Sequence, residues 1–255
     1  MKFDDLDARM RVFETAHDQS VLPGLYIVVR LDGRGFTRQT KGVWELEAPF
    51  DARFRDIMLD TTGHLMECGF GVVYGYTQSD EISLLFRLDE ATFGRKTRKI
   101  ISVLAGEASA RFSLAMGKLA CFDARVSQLA NASLVRDYFR WRHEDAHRNA
   151  LNAHCYWLLR KGGKSAQSAN NETLGLSVSE KNEFLFRNGI NFNDLPSWQK
   201  RGMGVYWETW EKPAVNPKTG EQVCAQRRRL KRYLELPMGE QYSEFMERFI
   251  AEASA

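Results

Sequence analysis

The sequence has few cysteines, and they lie far apart. The four of them, Cys68, Cys121, Cys155 and Cys224, form no Cys-x-x-Cys pair. This spacing argues against a disulfide framework and against a structural zinc site. We therefore expect buried, reduced thiols.

Long apolar runs are also missing. No stretch approaches the roughly 20 apolar residues that a membrane-spanning helix needs. The first seven residues contain three aspartates and lack the apolar segment that is typical of a secretion signal. These absences predict a cytoplasmic protein with no membrane partner.

A strong charge of either sign is absent as well. The chain carries 36 Lys and Arg against 33 Asp and Glu, a net charge of +3. This excess is too small to indicate a nucleic-acid partner by itself, so any basic surface must be local. With 44% apolar and 27% charged residues, the 255-residue chain has the composition of a globular protein with a sizeable core.

What the sequence does contain is two acidic clusters, each at the end of an apolar segment with the composition of a β-strand. Asp32 follows residues 25–31, and Asp80 and Glu81 lie between the apolar residues 70–76 and 82–86. Negative charge at a sheet edge costs least when a cation shares it. Mg²⁺ prefers one or two carboxylates together with substrate phosphates, so the pattern points to nucleotide chemistry.

The predicted elements explain how the two clusters could meet. After an amphipathic helix near residues 3–13, the order is strand, helix, strand, strand, helix and strand, ending near residue 129. This is the ferredoxin-like βαββαβ order of an α+β fold that resembles a polymerase palm. Its first and third strands are antiparallel neighbours at the centre of the sheet, which would bring Asp32 next to Asp80 and Glu81.

The chain divides, on this reading, into two parts. Residues 1–130 form the palm-like core, and residues 131–255 form a helical and β-rich extension packed on it. The extension is expected to be helical to about residue 160, with strands at 205–211 and 229–236 and a last helix near 242–253.

Each acidic cluster also has a simpler explanation when it is taken alone. Asp32 precedes a glycine, and Asp-Gly is a common turn dipeptide. Asp80 and Glu81 could form a solvated hairpin tip. Their convergence favours a shared site for two magnesium ions about 4 Å apart, as polymerases use to activate a hydroxyl and stabilise a leaving phosphate.

A different chemistry is suggested by His143-Glu144-Asp145-Ala146-His147, which matches the His-Glu-x-x-His pattern of zinc proteases. Asp145 puts a charge where such helices normally have none, and no clear third ligand follows, although His154 faces the same side. A charged helix face with an inward His147 is the favoured interpretation.

Basic residues cluster in two segments, at 95–99 and 226–232. Such runs are most often solvated surfaces. In a nucleotide enzyme they become candidates for contacts with a triphosphate or an RNA backbone.

Several segments resemble the signatures of the tRNA-His guanylyltransferase superfamily, the 3′-to-5′ polymerases. They follow one another in the family's order and cover most of residues 22–210, at positions 28–36, 75–81, 122–126, 141–149, 181–186 and 191–196. The resemblance implies a palm-like fold and two Mg²⁺ ions. Asp32 and Asp80 would bind the metals with the backbone carbonyl of Gly33, and Glu81 would be their catalytic neighbour.

The resemblance also implies how the substrates are held. The triphosphate would be wrapped by Gly33, Arg34, Gly35, Phe36 and Thr37. Further nucleotide contacts are expected from Ser79, Lys99 and Lys181. RNA contacts are expected from His147 and Asn149, and from the basic Arg227, Arg228 and Arg229.

In the reaction that this resemblance implies, ATP or GTP activates the 5′ phosphate of a tRNA. The 3′-hydroxyl of an incoming nucleotide then attacks that end. The family is usually homotetrameric. Here residues 147–153 read His-Arg-Asn-Ala-Leu-Asn-Ala where enzymes dedicated to tRNA-His carry His-Ile-Asn-Asn-Leu-Tyr-Asn, and Ala48 replaces a lysine of the eukaryotic enzymes.

Both departures favour the branch of the superfamily that repairs 5′-truncated tRNAs from a template. Addition of the extra G to tRNA-His remains an alternative. A non-catalytic protein that binds RNA or nucleotides is the alternative of a different class.

Overall fold

The structure, a computed structural model, describes residues 2–215, 218 and 220–255. Its strands are β1 Tyr26–Gly33, β2 Val72–Gln78, β3 Glu81–Phe86, β4 Phe122–Leu129, β5 Met203–Val215 and β6 Gln222–Tyr233. Its α-helices are α1 Phe3–Thr15, α2 Phe36–Gly42, α3 Ala52–Glu67, α4 Thr97–Met116, α5 Ala132–Lys161, α6 Ala166–Thr173, α7 Val178–Arg187, α8 Ser197–Arg201 and α9 Gly239–Ser254.

The strands form one six-stranded sheet in the order β4-β1-β3-β2-β5-β6. The first four strands have the ferredoxin-like order that the sequence predicts, with β1 antiparallel to β3 at the centre. In this register Asp32 lies directly opposite Glu81. The predicted α+β fold and the convergence of the two strand ends are confirmed.

The last two strands extend the same sheet. β5 pairs with the free edge of β2, with Tyr206 opposite Tyr74 and Met203 opposite Thr77, and β6 then pairs with β5. An unpaired strand edge leaves backbone donors and acceptors without partners, so covering β2 satisfies them. Both strands are longer than the predicted 205–211 and 229–236, and the division of the chain at residue 130 stays a prediction.

Helices cover both faces of the sheet. On one face, Ile27, Val29 and Leu31 of β1 pack with buried residues of α3 and α4. On the other face, Tyr26 and Val28 pack with buried residues of α5 and α9. Because side chains alternate along a strand, β1 supplies both cores, which explains its nearly unbroken apolar sequence.

Side-chain caps define the start of several helices. Asp51 accepts a hydrogen bond from the Phe54 amide at 3.0 Å before α3, and Asn131 accepts one from the Leu134 amide at 3.0 Å before α5. These acceptors satisfy amides that the first turn of a helix leaves unpaired. They set where the long helices begin beside the sheet.

Two expectations differ from the structure. The helix α1 is present, but its apolar residues are exposed, with Phe3 at 77% and Phe13 at 72%. Cys155 is buried as expected, whereas Cys121 and Cys224 are exposed, and all four cysteines are free thiols.

Within the described residues, no helix has the length and apolar character to cross a membrane.

Candidate active site

The two acidic clusters form one corner at the edge of the sheet. The pairing of β1 with β3 sets Asp32 opposite Glu81. The amide of Gly33 also donates a hydrogen bond of 3.0 Å to the carbonyl of Asp80. The backbone hydrogen bonds between the two strand ends therefore bring the three carboxylates together.

Asp80 lies in the two-residue turn between β2 and β3. Its neighbour Ser79 has a φ of 48°, in the left-handed region that tight hairpins require at their first turn residue. This position usually favours glycine, and non-glycine residues held there occur often at functional sites. The Ser79 hydroxyl donates a hydrogen bond of 3.0 Å to Oδ1 of Asp80, which orients that carboxylate.

The corner is negatively charged and partly removed from water. Burial raises the pKa of Asp80 to about 6, and the nearby charges of Asp32 and Glu81 add to this rise. Burial also raises the pKa of Asp32, followed by repulsion from Glu81. Arg30 offsets part of this charge, with guanidinium nitrogens 3.7 Å from Glu81 and 4.0 Å from Asp32.

The donor set suits a hard cation that also binds a substrate. No group of three or more His, Cys, Asp or Glu side chains able to cage a metal ion is present within residues 2–215, 218 and 220–255. Asp32 and Asp80 supply two carboxylates of raised pKa, and Mg²⁺ commonly takes one or two carboxylates together with substrate phosphates. The residues present therefore fit magnesium, with the remaining ligands left to the substrate.

A tight turn follows directly after Asp32. A Cβ atom on Gly33 would stand 2.5 Å from the ring of Phe36, so only glycine fits there. Gly35 has a φ of 73° and is the N-cap residue directly before α2. The first amides of a helix have no partner inside it, so the residues around Phe36 and Thr37 present donors to an anion.

A cavity of about 110 Å³ opens beside the acidic corner. It is lined by the loop at residues 46–51 and by the aromatic side chains of Phe50, Trp157 and Trp198, which come from three separate parts of the chain. The rings of Phe50 and Trp198 meet edge to face, with centroids 6.1 Å apart. Ser79 lines the same cavity, so its wall reaches the residue next to Asp80.

The predicted RNA contacts on α5 occupy different environments. His147 is half-buried, 5.2 Å from the ring of Phe192, and burial lowers its pKa. Asn149 is exposed and donates a hydrogen bond of 3.1 Å to Asp145. Of these two residues, only Asn149 is exposed on the helix surface.

Two predicted nucleotide contacts lie away from the corner. Lys99 is exposed in the first turn of α4. This helix follows the C-terminal end of β3, whereas Glu81 is the first residue of that strand. Lys181 is half-buried on α7, which packs against α5. Neither lysine is brought to the carboxylates in this chain, and their proposed roles stay predictions.

Part of the basic segment at 95–99 is structural. Arg95 is only 8% exposed and donates hydrogen bonds to the carbonyls of Val21, Leu25, Leu88 and Glu90 at 2.6–3.1 Å. Lys96 and Arg98 both bind Asp18. Arg95 is therefore not free to contact a nucleotide or RNA, whereas Lys96 and Arg98 are paired but remain partly exposed.

The basic residues of β6 are exposed and lie along tryptophans of β5. The guanidinium of Arg228 is 5.1 Å from the ring of Trp207, and that of Arg229 is 5.4 Å from the ring of Trp210. Arg229 also forms an ion pair with Glu208 at 2.9 Å. The exposed strand thus combines cations with aromatic surface, a combination that nucleic-acid-binding surfaces use.

The zinc-protease interpretation is not supported. His143 stacks on Tyr242 with ring centroids 4.2 Å apart, whereas His147 packs against Phe192. The two rings are thus engaged by different aromatic partners. Within the part of the chain that the structure describes, these histidines belong to no group of three or more His, Cys, Asp or Glu side chains that could hold a metal ion.

Sequence reasoning missed two arginines and the aromatic cavity. Arg30 and Arg142 both contact Glu81, and Arg142 is only 3% exposed. A buried arginine must be paired, but a sequence does not tell which arginine is buried. The proximity of Arg30 to Asp32, two residues apart on one strand face, was the one readable signal.

Comparison with known proteins agrees with this geometry. A family model described as tRNAHis guanylyltransferase matches residues 7–130, and a model described as Thg1 C terminal domain matches residues 133–239. A tRNA(His) guanylyltransferase of Debaryomyces hansenii is 33% identical over 195 residues, covering 71% of this chain and 73% of the relative. A probable tRNA(His) guanylyltransferase of Drosophila melanogaster is 32% identical, covering 72% and 68%.

Solved structures are similar over nearly the whole chain. A bacterial tRNA(His) guanylyltransferase-like protein in complex with GTP superposes with a TM-score of 0.73 at 30% identity, covering 97% of this chain and 99% of that one. A structure of such a protein with ATP gives a TM-score of 0.74 at 29% identity, covering 96% and 99%.

These matches define first a class of enzyme, the nucleotidyltransferases. Within that class, the chain belongs to the tRNAHis guanylyltransferase family.

Proposed function

We propose that the protein adds nucleotides to the 5′ end of a tRNA in the 3′-to-5′ direction, after ATP or GTP has activated the 5′ phosphate. One observation carries this proposal above the others. The wall of the aromatic cavity includes Ser79, whose hydroxyl donates a hydrogen bond to the carboxylate of Asp80 at the acidic corner. A base-sized space thus adjoins a site for phosphate chemistry.

The activating nucleotide would lie between these two features. Its base would enter the cavity, where Phe50, Trp157 and Trp198 offer aromatic surface. Its triphosphate would pass Ser79 and be wrapped by the turn from Gly33 to Thr37. The complexes of the similar bacterial proteins with GTP and with ATP support this proposal.

Two magnesium ions would be held by Asp32, Asp80 and the backbone carbonyl of Gly33. When bound, such ions neutralise phosphate oxygens and help to generate the attacking oxygen nucleophile. Glu81 would stand beside them as the catalytic neighbour, and Arg30 would limit the repulsion among the carboxylates. The raised pKa values of Asp32 and Asp80 support this assignment, since carboxylates in that state gain most from a nearby cation.

The proposed reaction has two group transfers. In the first, an oxygen of the tRNA 5′ phosphate attacks the α-phosphorus of ATP or GTP, and pyrophosphate leaves. In the second, the 3′-hydroxyl of the incoming nucleotide attacks the activated 5′ phosphorus. The nucleoside monophosphate then leaves, the hydroxyl proton is lost, and a new phosphodiester bond remains. The contribution of the chain is to align these groups in a partly dehydrated corner.

Template-dependent repair of 5′-truncated tRNAs is the preferred substrate assignment. Ala48 lines the cavity at a position where the eukaryotic enzymes have a lysine. The wall of the cavity therefore carries no ammonium group at that position. The stretch at 147–153 likewise differs from that of enzymes dedicated to tRNA-His. Addition of the extra G to tRNA-His is the alternative, and comparison of full-length with truncated tRNA separates the two.

The rest of the RNA would be contacted by His147 and Asn149 on α5 and by Arg227, Arg228 and Arg229 on β6. Lys99 and Lys181, which form no ion pair with the described carboxylates of the acidic corner, would contact the phosphates of the nucleotide. A homotetramer acting in the cytoplasm is the assembly and location that we propose.

The test is extension of a labelled 5′-truncated tRNA with ATP, GTP and Mg²⁺. The wild type is expected to add nucleotides, and the Asp80→Asn protein is expected to add none. Asp89→Asn is the matched control, because Asp89 is an exposed aspartate near the other end of β3. Equal activity of the Asp80→Asn and wild-type proteins would overturn the proposal. RNA binding without extension by the wild type would favour the non-catalytic alternative.

A further inference from the structure

The carboxylate of Glu81 is contacted by side chains from three other positions. Gln78 of β2 donates to Oε2 at 3.4 Å, and Arg30 of β1 lies 3.7 Å from Oε1. The third contact comes from a helix on the face of the sheet, where Nη2 of Arg142 donates to Oε2. Glu81 is therefore tied both to the sheet and to α5.

Arg142 is itself held rigidly. It is 3% exposed, and its guanidinium lies 4.6 Å from the ring of Trp141. The same Nη2 atom also donates to Oδ2 of Asp145 at 3.1 Å. A buried cation is tolerated only when opposite charges share it, so two carboxylates together fix where this guanidinium lies.

Asp145 extends the connection to the surface of α5. Its carboxylate accepts hydrogen bonds from Arg148 and, at 3.1 Å, from Asn149, both of which are exposed. A continuous series of polar contacts thus runs from Asn149 through Asp145 and Arg142 to Glu81. Simple attachment of α5 to the sheet would not require that the series end on a carboxylate of the acidic corner.

Without Arg142, Glu81 would keep only its contacts with Gln78 and Arg30 on the sheet and could turn away from α5. It carries the same charge as Asp32 and Asp80, which are its immediate neighbours. Repulsion would then disperse the carboxylates, or a bound cation would draw Glu81 into its own coordination shell. Arg142 prevents both outcomes by attracting Glu81 towards α5.

We propose that Arg142 is a positioning residue, which acts through Glu81 and keeps that carboxylate oriented for nucleotide transfer, apart from Asp32 and Asp80. The inference rests on the proposed function, because it gives Arg142 a part in the same reaction. Arg142 touches neither nucleotide nor metal in this assignment.

The first experiment compares Arg142→Met and Arg142→Lys with the wild type in the tRNA extension assay. We expect Arg142→Met to lower kcat about 100-fold, the size of effect that a small misplacement of a reacting group produces, with KM for ATP changed less than about threefold. Arg142→Lys keeps the charge but loses the planar fork of the guanidinium. Its kcat should therefore be about tenfold higher than that of Arg142→Met and about tenfold lower than that of the wild type.

Arg140→Met is the matched control. Arg140 lies on the same helix and pairs with Glu144 at 2.7 Å, but it is exposed and does not contact Glu81. It should retain wild-type kcat. Circular dichroism and equilibrium binding of ATP show whether each variant is folded with a usable cavity, and Arg142→Lys carries the comparison if Arg142→Met does not fold.

A double-mutant cycle separates positioning from simple attachment of the helix. Glu81→Asp shortens the side chain away from Arg142 and keeps the carboxylate. If Arg142 acts through Glu81, Arg142→Met should lower kcat less than about threefold in the Glu81→Asp background, against about 100-fold in the wild type. The full loss in both backgrounds, or wild-type kcat in folded Arg142→Met, would overturn the inference. Absence of extension by the wild type would instead contradict the proposed function.

Discussion

The ring of Phe36 occupies the space into which a side chain at Gly33 would project. A Cβ atom built on Gly33 would stand 2.5 Å from Cγ of that ring, and Phe36 is itself buried and packs against Trp44 and Phe122. The packing of the Phe36 ring against Gly33 therefore fixes the turn that follows Asp32.

We predict that Gly33→Ala destabilises the protein by about 1–3 kcal/mol, as overpacking of a filled core does. It should also abolish nucleotide addition, because the turn beside Asp32 must move. Urea unfolding measures the first effect and tRNA extension the second. Gly42→Ala, where a Cβ atom would meet nothing within 4 Å, should change neither by a comparable amount.

The aromatic cavity supplies a second prediction. Trp198→Ala removes one wall and should weaken ATP binding about tenfold, because stacking of a base on an aromatic ring contributes roughly 1–3 kcal/mol. The turnover of bound nucleotide should change much less. Equilibrium dialysis with ATP measures the binding, and Trp210→Ala on β5, outside the cavity, is the control. Unchanged binding in Trp198→Ala would place the base elsewhere.

Arg95 should contribute to stability and not to catalysis. Replacing it with Met leaves the buried carbonyls that it serves without a donor, and we expect a loss of about 3 kcal/mol in the free energy of unfolding. Lys99→Met, at an exposed position of the same basic segment, should cost far less. An Arg95→Met protein with the same free energy of unfolding as the wild type would show that the guanidinium is dispensable for stability.

His143 and His154 should make the protein less stable as the pH falls below about 6.5, while the raised pKa of Asp80, about 6, acts in the opposite direction. Burial lowers the pKa of His143 and of His154 to about 4, whereas the pKa of histidine in an unfolded chain is about 6.5. Between these values each of the two histidines binds more protons in the unfolded chain than in the folded one, so their protonation favours unfolding. Each histidine should contribute about 1 kcal/mol per pH unit across this interval.

Urea unfolding at several pH values checks this dependence. His154→Gln should reduce the slope of stability against pH by about half of the combined contribution, since one of the two groups is removed. His17→Gln, at an exposed position, should leave the slope unchanged. Equal slopes for the wild type and His154→Gln from pH 6.5 to 4 would contradict the expectation.

The acidic corner could be predicted from the sequence because it depends on strand order. Asp32 and Glu81 end up opposite each other as soon as β1 and β3 are neighbours, and the apolar segments before and after them identify those strands. The cavity could not be predicted, because Phe50, Trp157 and Trp198 come from distant segments whose packing no local pattern describes.

The short helices were missed for a different reason. α2, α6, α7 and α8 span 5–10 residues, too few for a clear apolar periodicity. One signal was available. Ser177 and Glu180 form a capping box at the start of α7, and this Ser-x-x-Glu spacing is readable in the sequence.

The bond from the Gly33 amide to the Asp80 carbonyl has a consequence for folding quality control. Successive side chains of a strand point to opposite faces, so a slip of β1 by a single residue would turn Asp32 away from Asp80 and Glu81 while leaving a sheet with the same number of strands. A misregistered molecule would resemble the native one in secondary structure and yet lack the assembled carboxylates. Catalytic activity is thus a more sensitive measure of correct strand alignment in this protein than its helix and strand content.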